Sequence, residues 1–220
     1  MSGGAASSPP VDDADADPDE VVDGRTARAQ RTRDSIVRAC VDLVVEGDIR
    51  PTAPRIAERA GVSVRSVFQH FDDLETLFAM VAEQAVLDLG DLVRPIDPDL
   101  SLAERVAGFT AQRSRLMEAV TPIHRAANVH APFSPAIQAR VAAGHEIFRA
   151  ELETVFGTEL DRAGERRTAV IDMLDVAAGW SSWEVLRTLD GRTVAQAVDV
   201  VAGLMLAALA PLADPEGRAG

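Results

Sequence analysis

Lysine and tyrosine are missing from this 220-residue chain, and cysteine occurs once. One cysteine excludes an internal disulfide and any cysteine-based metal cluster. Aromatic residues make up only 4%, so a core must be mainly aliphatic; hydrophobic residues reach 47%, enough to build a sizeable one. The longest uncharged apolar run, Val200 to Leu212, falls short of the roughly 20 residues that cross a bilayer. The N-terminus lacks a basic-then-apolar export pattern. These absences predict a cytoplasmic chain with no membrane partner. No strand-like alternation of useful length and no internal repeat occur. Nucleophile-elbow serine, paired-carboxylate motif, phosphate-cradling glycine loop and metal-ligand cluster are all lacking. The chain is therefore expected not to be an enzyme, with no cofactor and no metal.

What is present is arginine, unevenly spread. All 22 basic residues are Arg, and the net charge is −13. Residues 1–24 carry seven acids and no base. Residues 25–71 carry nine Arg against five acids, a net of +4, and the remainder is acidic again. One basic segment inside an acidic protein can still attract phosphate, because that attraction is local. Residues 1–24 have almost nothing to bury and are expected to be a disordered acidic leader. It is either a solubilising tail or an arm that competes with DNA for the basic face.

The basic segment, 25–71, reads as three helices. Arg28 to Glu46 is the first, with Ile36, Cys40, Leu43 and Val44 as its buried stripe. Cys40 on that stripe is a small core residue. Arg28, Arg31 and Arg33 at its start are either a solvated helix start or contacts to phosphate and minor groove. Thr52 can cap the second helix, with Pro54 in its first turn. Gly61 permits a sharp turn, and Ser63 caps a short third helix whose Val64 and Val67 face inward. Arg65, Ser66, Phe68, Gln69 and His70 remain for the outer face. Residues 55–71, RIAERAGVSVRSVFQHF, thus form a helix-turn-helix dressed to touch DNA. Arg65 either bridges two acceptors on guanine or clamps a phosphate. Gln69 either reads adenine or caps the surface.

Residues 72–220 read as further helices. Asp72 or Asp73 caps one running to about Val93. Others are expected at Ser101–Val120, at Pro122–His130, from Ser134 to about Phe156, at Glu165–Leu189 and at Val194–Leu209. The fold class is all-α: a three-helix head, then a helical bundle, about nine helices in total.

The stretch from Arg33 to Phe78 resembles the DNA-binding domain of TetR-family regulators, through IVRACVDLVVEG, IAERAGVSVRSVFQHF and the LETLF start of a long fourth helix. The last two helices resemble that family's dimerising pair. The resemblance implies a homodimer that represses transcription until a small apolar or amphipathic ligand binds in residues 72–220. It implies phosphate contacts from Thr52, Arg55 and His70. Ser63, Arg65, Ser66 and Gln69 are implied to approach base edges of a near-palindromic double-stranded operator. Phe68 stands where the family usually has a phosphate-binding tyrosine, and Leu74 where it often has lysine. More reliance on the N-terminal arginines is expected in consequence. A helical ligand-binding or scaffold protein of the same fold that has lost operator binding is the alternative.

In the rear, Ala177, Ala178, Ser181 and Ser182 permit close approach of a second copy, with Val194, Val198, Val201, Met205 and Ala208 as an apolar face. A core helix has the same pattern. Ligand contacts are expected among Phe109, Arg113, Met117, His124, Asn128, Phe133, His145, Trp180 and Trp183, each of which also has a plain packing or surface reading.

Overall fold

The computed structural model describes residues 18–213. Among them every regular element is helical. The head comprises α1 (Pro18–Val45), α2 (Ala53–Ala60) and α3 (Val64–His70). The long link α4 (Leu74–Leu89) ends in a 3₁₀ turn. The rear holds α5 (Leu102–His130), α6 (Pro135–Arg162), α7 (Arg167–Ala178), α8 (Trp180–Glu184) and α9 (Val194–Leu209).

Helix α1 begins about three turns earlier than expected. Residues 18–24, assigned to the leader, are its first residues; residues 1–17 of that leader lie outside the described residues. The lower part of α1 supplies Ile36, Val37, Cys40 and Leu43 to a core shared with Ile56, Ala57, Val67 and Phe71. Leu77 and Val81 of α4 complete that core, so α4 is rooted in the head. Burial pushes the Cys40 thiol up to about 12, which keeps it neutral.

The rear core is a second cluster around Phe109, Phe156, Leu160, Leu174 and Met205. Inside it Arg105 and Glu159 form a bidentate pair, at 3.0 Å and 2.5 Å, with side chains 8% and 3% exposed. Arg105 also donates to the carbonyls of Leu100 and Val155. Each buried charge is thus matched and hydrogen-bonded, the condition for tolerating it.

Helix boundaries in the rear differ from expectation in three places. Pro122 does not divide α5; it sits inside a continuous helix, whose flanks are packed against the bundle. The adjoining Thr121 hydroxyl donates to the Met117 carbonyl at 2.7 Å. Helix α6 continues past Phe156, which takes non-helical angles (φ −117°, ψ 17°) and marks a kink rather than an end. The span Glu165–Leu189 is broken at Gly179, which is extended (φ −74°, ψ 160°). A Cβ there would lie 2.7 Å from the Asp175 carbonyl oxygen, so glycine is required for that close approach. After α8 the chain forms a π-helical turn, Val185–Leu189. The last helix has the expected bounds and a capping box between Thr193 and Gln196.

Candidate nucleic-acid interface

The turn between α2 and α3 is closed by backbone chemistry. Gly61 takes the left-handed conformation (φ 69°); its N–H donates to Glu58 and the Val62 N–H to Ala57. That is a Schellman closure, which satisfies the orphan carbonyls of α2. Val62 packs onto the head core beneath the turn. Ser63 then starts α3, its hydroxyl accepting the Ser66 N–H at 3.0 Å. Val67 and Phe71 are buried and fix the rotation of α3.

That rotation presents Ser63, Arg65, Phe68 and Gln69 outward, with Ser66 and His70 partly exposed. Phe68 is 49% exposed, unusual for a phenylalanine with a core beside it. Val64, expected to face inward, is 39% exposed and joins the outer face. Arg65 carries no ion pair among the described residues, nor do Arg28, Arg31, Arg38 and Arg50. A cation without an internal partner keeps its full charge for an external one.

Arg33 differs from its neighbours. Its Nη1 donates to the His70 carbonyl at 2.7 Å, Nη2 approaches Met80 Sδ at 2.8 Å, and its guanidinium lies 4.5 Å from the Phe71 ring centroid. It is spent on holding α1, α3 and α4 together rather than facing solvent as expected. Arg55 pairs with Asp48 while its side chain stays 57% exposed. Arg59 binds Glu46 through two hydrogen bonds. Thr52 occupies the N-cap position of α2 but makes no capping hydrogen bond, contrary to expectation. Its exposed hydroxyl is left to another acceptor. Leu74 packs partly against the head core, an apolar role.

The residues expected around a ligand separate into groups. Phe109, Met117 and Trp183 are core, and the Trp183 indole donates to Glu118 at 2.9 Å. Phe133 is 80% exposed, and Asn128 is exposed as well. His145 lies outside, 2.7 Å from Asp175. Arg113, His124 and Trp180 stay together. Arg113 lies over Phe148 at 3.6 Å, and His124 stacks on Trp180 at 5.1 Å. Burial, assisted by the Arg113 charge, lowers His124 to about 4.

The expected pairing face also requires correction. Ala177 and Ala178 are buried, and so are Val201, Met205 and Ala208: these fill the chain's own core. Val194, expected on that face, is exposed (36%), and the other outward apolar side chains on the same helices are Met173 (52%), Val176 (70%), Val200 (40%) and Leu204 (51%). Val194–Leu212 is long and apolar enough to cross a membrane by length and composition alone.

Head and rear meet through α4. The Ser134 hydroxyl, at the start of α6, donates to Glu75 at 2.6 Å. The His130 ring, at the end of α5, lies tilted against Phe78 with centroids 4.4 Å apart and is 3.3 Å from the Ile49 carbonyl between α1 and α2.

A helix-turn-helix head joined by a long helix to an all-α bundle is the architecture of one group of solved proteins. A transcriptional regulator from Rhodococcus sp. Rha1 superposes with a TM-score of 0.57 at 20% identity, over 80% of this chain and 96% of its own. A protein described as a putative TetR-family transcriptional regulator from Mesorhizobium loti gives 0.59 at 20% identity, over 84% and 98%. The multidrug binding protein EbrR, solved with imidazole, gives 0.57 at 20% identity, over 78% and 93%. No protein-family profile and no curated protein sequence matches the chain. The chain has the fold of the TetR-family regulators.

Proposed function

We propose that this protein is a sequence-specific DNA-binding regulator of transcription that acts in the cytoplasm as a homodimer and represses until a small molecule releases it. One observation carries the reading. A rigidly capped short helix turns Ser63, Arg65, Phe68 and Gln69 outward, and arginines with no internal partner lie on the same basic head. Arg65 offers two parallel donors to guanine, and the exposed arginines supply sequence-independent attraction to phosphate. One short helix reads only a few base pairs, so two copies about 34–36 Å apart are needed to read a near-palindrome. Met173, Val176, Val200 and Leu204 are the side chains for that pairing, since burial of apolar surface is what drives association. Release requires a ligand that prefers a conformer with wrongly spaced heads. The Glu75–Ser134 and His130–Ile49 contacts are where the bundle would move the head.

Fluorescence anisotropy with duplex DNA from upstream of the protein's own coding sequence, at two salt concentrations, tests the reading. Affinity is expected to fall steeply with salt. Absence of any duplex binding at low salt would favour a scaffold of the same fold, a reading to which the missing hydroxyl at Phe68 lends weight.

A further inference from the structure

We propose that Val64 and Phe68 form an apolar reading edge on α3 that recognises the C5-methyl group of thymine, so that each operator half-site carries thymine at one or two fixed positions. The inference rests on the regulator reading of the head and names which part of the duplex this face reads.

The exposed side of α3 is built of two rows. Arg65 and Gln69 are one helical turn apart, and so are Val64 and Phe68, so each pair shares a line along the helix. The two rows are offset by about 100° around the axis, the angle between successive residues. Val67 and Phe71 are buried beneath the helix, which puts Arg65 and Gln69 in the middle of its outer side and Val64 and Phe68 on its flank. Both members of the flanking row are open, Val64 at 39% and Phe68 at 49% exposed. Neither belongs to the core of the head. Phe68 meets no other ring and no guanidinium among the described residues. The fold already has its packing from Val67 and Phe71, so the flanking row is free for an outside contact.

The charge around the row says what that contact is. Residues 25–71 carry nine Arg against five acids, and Arg28, Arg31, Arg38, Arg50 and Arg65 have no ion pair among the described residues. An apolar row set in unpaired cations fits a polyanion that carries its own apolar groups. Duplex DNA is one, and the apolar group of its major groove is the thymine methyl. That methyl stands on the pyrimidine side of its base pair, off the middle of the groove. The middle row can then meet acceptor edges, Arg65 on guanine and Gln69 on adenine, while the flanking row meets methyl groups. An adenine taken by Gln69 brings a thymine methyl in the same base pair. A phenyl ring has no donor for a phosphate, but its wholly apolar body suits a methyl group.

Duplexes enriched from a random library by the full chain are remade with deoxyuridine in place of each thymidine in turn. The exchange deletes one methyl group and keeps every base-pair hydrogen bond. In competition anisotropy, uracil at one or two positions of each half-site is expected to weaken binding about fourfold per methyl, the value of one buried methylene-sized group. This arm uses the wild type alone. Phe68→Ala, its helical content checked by circular dichroism, should bind the thymine and uracil duplexes alike. Indifference of the wild type to uracil at every position overturns the reading edge. So does a methyl sensitivity that survives Phe68→Ala and Val64→Ala alike. An even tightening of every duplex by Phe68→Tyr would put the ring against the backbone, and a changed sedimentation of free Phe68→Ala would put it between two copies of the chain; either overturns the proposal. A library that yields no enriched duplex removes the regulator reading and this one with it, whereas an enriched duplex indifferent to uracil removes this one alone.

Discussion

Arg33 ties the first helix to the last residue of the helix that would enter the groove: its Nη1 donates to the His70 carbonyl at 2.7 Å, and its guanidinium lies over Phe71. That single side chain fixes how α3 leaves the head. Arg33→Ala should cost about 1.5–3 kcal/mol in stability, the range for a hydrogen bond to a charged group. Urea unfolding of wild type and variant measures it. A change within a few tenths of a kcal/mol would show that the clasp is not needed.

Arg28 and Arg31 are exposed and carry no ion pair among the described residues, unlike Arg33, which is held inside the head. Replacing both by alanine should leave the urea midpoint unchanged. The slope of log affinity against log salt should shrink by roughly 0.9 for each phosphate that the two side chains no longer neutralise. An unaltered slope would mean that these side chains miss the backbone.

Arg65→Ala tests base reading directly. Specific binding should weaken by about 1–3 kcal/mol and tolerance at one operator position should widen. Weakening spread evenly over all sequences would instead identify Arg65 as a phosphate clamp.

The buried Arg105–Glu159 pair predicts a large stability effect remote from DNA. Glu159→Ala leaves a buried guanidinium without its carboxylate, which should cost about 3–5 kcal/mol. A double variant, Arg105→Met with Glu159→Leu, should recover most of it. Thermal unfolding of the three proteins distinguishes a needed pair from a tolerated one.

His124 makes the rear acid-sensitive. Its folded value is lowered from 6.5 to about 4 by burial, so between those values the unfolded chain binds the extra proton. Its neutral form is accommodated at no cost above about 6.5, and stability declines as pH falls from there towards 4. His124→Gln should flatten the stability profile in that window and leave its slope unchanged above about pH 7.

The head was largely legible in the sequence because its signals are local. Gly61, Ser63 and the stripe of Ile36, Cys40 and Leu43 each act within a turn or two of themselves. Arg33 was not, since its acceptor is 37 residues away and nothing in spacing reveals it. In the rear, proline suggested a boundary at Pro122 where packing carries the helix through. Gly179 gave no signal, because glycine within a helical pattern is often tolerated. Helix α9 has apolar side chains on two faces. Periodicity alone could not say that Val201 and Met205 serve the chain's own core while Val200 and Leu204 are left outside.

That outer face is open to a direct test. Val176→Glu with Leu204→Glu replaces exposed apolar side chains, so each monomer should stay folded. Sedimentation should report a dimer for the wild type and a monomer for the variant. A wild type that is already monomeric would remove the pairing on which operator reading depends.

Selection of binding sites from a random duplex library by the full chain addresses twofold reading of DNA by α3 most directly. The expected product is an enriched near-palindrome, its half-sites about one helical turn apart or a multiple of it, bound by two chains. Recovery of no enriched sequence, or of one without twofold symmetry, would contradict it.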